Sequence, residues 1–167
     1  MAVKKTIAII GADEEKGIII ARRLSAGNYR LLLLFNEEAK LAKIGDDIKK
    51  SAPGAEIELV SCMKDGCWEA DIIILTINTE AQQEVAEKIR AVAIQKIVAC
   101  LASSKSGLPV AKAALQQLLP YSKVVAVFIN PELAEVFIDG NDDEAVETVA
   151  LMLGDAGYGL IIKIISD

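Results

Sequence analysis

Short apolar runs recur along the chain at near-regular intervals, and most are continuous rather than alternating: LLLLF at 31–35, DIIILTI at 71–77, KVVAVFI at 123–129. A strand buried on both faces reads this way, as in a parallel sheet covered by helices on either side. The pattern predicts strands over 4–10, 30–35, 56–61, 71–77, 96–101 and 123–129. Between them the spacing turns helical, over 16–26, 37–51, 80–92 and 109–119. Within 80–92, Val85, Ile89 and Val92 share one stripe, and Glu84, Glu87 and Lys88 lie off it. Trp68 is expected to pack a helical turn between the third and fourth strands. Beyond the sixth strand, Pro131 is expected to lead a short turn of helix, followed by a strand over 136–139, a helix over 142–156 and a strand over 160–165. Asp142 and Asp143 suit the first turn of that helix, and Gly154 and Gly157 mark its end.

Strand and helix alternate from one end to the other, which predicts an α/β fold with a mostly parallel sheet. No linker, repeat or low-complexity segment divides the sequence, so 1–167 is expected to form a single domain. At 53% hydrophobic and 25% charged residues, there is ample material for a core. A net charge of −6 argues against a nucleic-acid partner, which needs clustered Lys and Arg.

Histidine is absent. That removes Ser-His-Asp and Cys-His triads, His-ligated metals and His acid–base chemistry together. Cys62, Cys67 and Cys100 are odd in number and lack C-x-x-C spacing, so neither a zinc site nor a redox dithiol is expected. Free thiols fit a reducing, cytoplasmic compartment. The opening MAVKKTIAII is basic and then apolar, but it runs into Asp13-Glu14-Glu15 too soon for a secretory leader. No apolar run reaches the length of a membrane span, so no membrane partner is expected.

In an open parallel sheet, ligands bind beyond the carboxyl ends of the strands, near the switch point. The first strand–helix turn there is Gly11-Ala12-Asp13-Glu14-Glu15-Lys16-Gly17. A dinucleotide fingerprint has a glycine between the outer two, so that backbone can approach the pyrophosphate. Here the middle of the loop is acidic. A carboxylate ~5 Å from a phosphate charge costs roughly 3 kcal/mol at an effective dielectric near 20. The helix N-terminus returns only about 0.3–1 kcal/mol. The competing explanation is structural, with Asp13 capping the helix and the glutamates sitting at its positive end.

Beyond this loop the order of segments resembles the nucleotide-binding domain of the deazaflavin-dependent NADP oxidoreductases. The likeness runs through A-A-L-Q-Q-L-L-P-Y-S-K-V-V-A-V-F-I-N, where that family has a helix ending in Leu-Leu-Pro before a Val-Val strand and an Asn. It continues through V-F-I-D-G-N-D-D-E-A-V-E-T-V-A-L-M-L-G-D-A-G-Y, where the family has a strand, a Gly-Asp-Asp turn, a helix and a Gly before the last strand. Together with the glycine loop, these segments cover nearly all of the chain.

The resemblance implies a three-layer Rossmann-type NAD(P)-binding fold with extra C-terminal strands. It also implies direct hydride transfer from a bound small-molecule dinucleotide, NAD or NADP, with no catalytic acid or base. Carried over by position, Gly11, Ala12, Asp13, Glu14, Glu15, Lys16 and Gly17 would hold the pyrophosphate. Thr76, Ile77 and Asn78, with Leu101 and Ala102, would line the nicotinamide side. Where the family holds the 2′-phosphate of NADP with a Ser-Arg-type motif, this chain has Asn36-Glu37-Glu38. A glutamate there repels that phosphate and accepts a ribose hydroxyl, so NAD is expected over NADP. The family continues past Ser166-Asp167 into a segment completing the second substrate's pocket, so a full deazaflavin site is not expected. From a different class, a non-catalytic Rossmann-fold binding or regulatory module, with a homodimer open to it, is the alternative.

Other constellations lead less far. A response-receiver reading finds Asp13, Glu14, Thr76 and Lys105 but meets Ser61-Cys62 where its phosphoacceptor Asp belongs. Lys64 could lower a neighbouring thiol pKa, yet no partner for a nucleophile lies near it in sequence. Ser103-Ser104-Lys105-Ser106-Gly107 could bind a phosphate, although helix-start chemistry before Pro109 explains it better. Residues 141–144 are read as a solvated cap rather than a metal loop.

Overall fold

The computed structural model of the protein describes residues 4–34 and 38–164. In chain order the elements are β1 (Lys5–Ile10), α1 (Glu15–Ser25), β2 (Tyr29–Leu34), α2 (Glu38–Ser51), β3 (Glu56–Val60), α3 (Met63–Glu69) and β4 (Ile72–Leu75). Then follow α4 (Thr79–Ile89), β5 (Ile97–Leu101), α5 (Leu108–Leu118), β6 (Lys123–Asn130), β7 (Glu135–Gly140), α6 (Asp143–Asp155) and β8 (Leu160–Lys163).

One eight-stranded sheet results, in the order β3-β2-β1-β4-β5-β6-β7-β8. Strands β1 to β6 are mutually parallel, β7 runs antiparallel to β6, and β8 is parallel to β7. The order reverses between β1 and β4, which opens a crevice at their carboxyl ends.

The unbroken apolar runs are explained by two cores. Ile7 and Ile9 of β1, with Leu31 and Leu33 of β2, pack against α1, α2 and α6. Ala8 and Ile10, with Leu32 and Leu34, pack against α3, α4 and α5. Successive side chains enter opposite cores, so neither face of a central strand can be polar. The edge strand β3 is only partly covered, with Ile57 against one core and Val60 against the other, and carries exposed Glu56 and Glu58, the latter paired with Arg30 at 2.7 Å.

Two expectations about local structure change. The segment from Pro131 to Ala134 is a turn, not helix: Asn130 Oδ1 accepts from Glu132 N at 3.2 Å, and Ala134 takes a left-handed φ of 52°. Six register pairs, from Val125↔Gly140 to Asn130↔Glu135, draw β7 straight back onto β6. Trp68 does sit on a helix, α3, but its ring faces solvent at 70% exposure. Cys67 takes the inward position instead, and the Lys96 ammonium lies 5.6 Å from the indole.

Candidate functional site

The β1–α1 loop is closed by backbone. Gly11 and Ala12 both donate to the Leu34 carbonyl, and Glu14 N donates to Gly11 O at 2.9 Å. Gly11 has φ +89°, a conformation natural to glycine. A Cβ on Gly17 would lie 2.2 Å from the Gly11 carbonyl oxygen and 2.8 Å from Thr76 Oγ1. The first turn of α1 therefore rests directly on the end of β1. Thr76 locks the arrangement, its hydroxyl donating to Ile10 O at 2.8 Å with Gly11 O at 3.1 Å.

The expected capping role of Asp13 is corrected. The N-cap is Glu14, with extended backbone (φ −93°, ψ 158°) and no side-chain capping bond. Asp13, one residue before that N-cap, is buried where the loop packs against the end of β2. Gly11, Ala12 and Gly17 are buried with it, while Glu14, Glu15 and Lys16 are exposed.

Two clefts adjoin this loop and share Glu15, Lys16, Leu101, Ala102 and Ser103. One, of about 530 Å³, lies on the α4–α5 side and is lined by Glu14, Glu15, Lys16, Thr76, Ile77, Asn78, Leu101 and Ala102. Eight of the sequence-derived site residues thus share one cavity, and Gly11, Ala12, Asp13 and Gly17 form the buried loop beside it. Asn78 has a second task, capping α4 by accepting from Ala81 N at 2.8 Å. Asn36 and Glu37 lie outside the described residues.

Sequence reasoning missed part of this wall. The buried Gln82 and the α5 residues Val110 and Ala111 also line the cleft, beside Ser103 of the hydroxyl-rich loop. The second cleft, about 540 Å³ between α1 and the β6–β7 turn, takes in Glu15, Lys16, Leu101 and Ala102 of the expected residues, but its Ile19, Arg23, Phe128, Pro131 and Tyr158 were missed. The signal was present: Lys16, Ile19, Ile20 and Arg23 fall on one helical stripe. Burial raises the Tyr158 phenol pKa, opposed by Arg23, whose guanidinium carbon lies 4.4 Å from the ring centroid.

The hydroxyl-rich loop after β5 is turned to other contacts. Ser104 Oγ accepts from Gly107 N at 3.0 Å, and the Lys105 ammonium lies 4.5 Å from the Phe137 ring centroid. Lys112, nearby on α5, is buried and pairs with the fully buried Asp139 of β7 at 2.8 Å and with Asn141 Oδ1 at 3.0 Å. No group of three or more potential metal ligands occurs among the described residues. No described helix is long and apolar enough to cross a membrane.

No protein-family profile and no curated protein matches this sequence. Solved structures do. A pyrroline-5-carboxylate reductase from Coxiella burnetii superposes with a TM-score of 0.71 at 14% identity, over 99% of this chain and 60% of that one. The fold is that of NAD(P)-dependent reductases and dehydrogenases. An imine reductase from Myxococcus stipitatus, in complex with NAD+, gives 0.69 at 18% identity over 96% of this chain and 55% of its own. A structure described as an F420-dependent NADP reductase from Arthrobacter sp. FB24 gives 0.70 at 17%, over 97% and 84%. The chain therefore spans about 60% of the length of the first of these enzymes.

Proposed function

We propose that the chain is an NAD(P)-binding oxidoreductase domain, working by direct hydride transfer in the manner of the deazaflavin-dependent NADP reductases. The observation that carries this reading is the closure of Gly11 and Gly17 against Thr76 beside the switch point. It leaves the start of α1, whose N-cap Glu14 makes no side-chain capping bond, at the mouth of a 530 Å³ cleft. Helix-start amides bind pyrophosphate readily. Thr76–Asn78 and Leu101–Ala102 then flank the nicotinamide, whose chemistry when bound is to give or take a hydride. Their part is to orient and to exclude water, which asks for no acid or base.

The acidic residues set the affinity rather than forbid binding. Glu14 and Glu15 are both exposed. With water between charges, a carboxylate ~5 Å from a phosphate costs about 0.8 kcal/mol, not roughly 3. That is close to what a helix N-terminus returns. NAD is the cofactor of choice in this reading, because the sequence has Glu37 in the segment where the resembled family places its 2′-phosphate motif.

A second reading, a Rossmann-fold binding or regulatory module without dinucleotide chemistry, draws on the same two glutamates in the cleft wall. A thermal-shift titration with NAD, NADH, NADP and NADPH separates the two. Saturation at a hundred times Kd stabilises by about 2.7 kcal/mol, a rise of roughly 5–10 °C for a domain of this size. A shift with NAD or NADH larger than with the phosphorylated pair supports the oxidoreductase. No shift with any of the four at millimolar concentration supports the module.

A further inference from the structure

The geometry points to a second binding site in the cleft between α1 and the β6–β7 turn, for a small organic anion with an apolar body, a carboxylate above all. The cleft adjoins the proposed dinucleotide site and shares Glu15, Lys16, Leu101, Ala102 and Ser103 with it, but the anion is argued from the residues the two do not share and is tested without a dinucleotide. Lys16, Ile19, Ile20 and Arg23 line the cleft at i, i+3, i+4 and i+7, so two cations bracket an apolar pair along ~10 Å of helix. Phe128 and Pro131 form part of the lining. Ile19 is 47% exposed, an apolar side chain that faces this cavity rather than the core.

Charge distinguishes the two clefts. Among the described residues, this one carries Lys16 and Arg23 against Glu15, whereas the other carries Glu14 and Glu15 against Lys16. Glu15 and Lys16 sit together at one end, roughly two helical turns from Arg23. The anion's head therefore belongs at the Arg23 end. There the guanidinium stacks over Tyr158, itself only 7% exposed, and makes no ion pair with any described residue. Stacking fixes the guanidinium face and leaves its N–H edge for a carboxylate. A volume of about 540 Å³ suits a small molecule.

The test uses naphthalene-2-carboxylate and its uncharged amide, naphthalene-2-carboxamide, titrated into the ¹⁵N-labelled full chain and followed by amide chemical shifts. The carboxylate is expected to move the amides of Ile19, Ile20, Arg23 and Tyr158 and to bind about tenfold more tightly than the carboxamide. Arg23→Gln should erase that preference, while Arg22→Gln, one residue away and outside the cleft, should keep it. Ile19→Glu, at an exposed position, should also abolish carboxylate binding, so a folding failure of the Arg23 variant would not leave the idea untested. Equal affinity for the two probes overturns the proposal. So do shifts confined to the Thr76–Asn78 cleft, or no shifts at all at millimolar probe.

Discussion

The hydroxyl of Thr76 lies 3.1 Å from the carbonyl oxygen of Gly11, and Gly17 fits only because it has no side chain between them. A methyl at Gly17 would meet backbone at 2.2 Å, and backbone at a strand end held by three neighbours cannot step aside. Gly17→Ala is therefore expected to destabilise the fold by roughly 1–3 kcal/mol through overpacking, with α1 pushed off its seat. Thr76→Val exchanges the hydroxyl for a methyl of similar size, and about 1 kcal/mol should go with the lost hydrogen bond. Urea unfolding of both variants checks the order: the alanine must cost more than the valine.

Lys112 and Asp139 form a buried ion pair that ties α5 to β7. Removing one partner of such a pair leaves a desolvated charge behind, at about 3–5 kcal/mol. Lys112→Met should cost that much in urea unfolding, and the double variant Lys112→Met/Asp139→Leu should recover most of it. A loss under ~1 kcal/mol for the single change would equate the pair with an exposed salt bridge.

The thiols should react unequally. Burial pushes the Cys67 and Cys100 thiols up to about 12, while Cys62 is exposed. Native protein at pH 8 is expected to titrate one thiol with a disulfide reagent, and all three only after unfolding. The pH dependence has a definite sign. In the unfolded chain these two thiols ionise near 8.5, so above that pH the unfolded state holds fewer protons than the native one. Stability is complete below about pH 8.5 and falls as pH rises toward about 12. Replacing both with Ala should flatten that alkaline decline, read from unfolding midpoints between pH 8 and 11.

How much of this could be read in advance follows from what periodicity reports. Leu31–Leu34 and DIIILTI name buried central strands because two cores act on them at once, and the sheet order leaves no other use for such runs. The turn at 131–134 was misread as helix because its signal, Asn130 reaching Glu132 N, is a side-chain bond and not a period. Trp68 misled for a related reason: with Cys67 next to it, only one of the two could face inward. The loop residues were located by spacing, but which of them are exposed depends on backbone closure against Thr76, 59 positions after Gly17 in the sequence (76 − 17). The second cleft joins α1 to the β6–β7 turn, a pairing no local pattern contains.

The central claim is that the Glu14–Gly17 turn takes a pyrophosphate despite its carboxylates. Calorimetric titration of NADH into the wild type and into Glu14→Gln/Glu15→Gln tests it most directly. The account predicts saturable binding to both, tighter by about tenfold in the variant at low salt, with the gap narrowing as salt screens the charges. No heat from either protein at millimolar NADH would contradict it, and would leave this fold serving a ligand other than a dinucleotide.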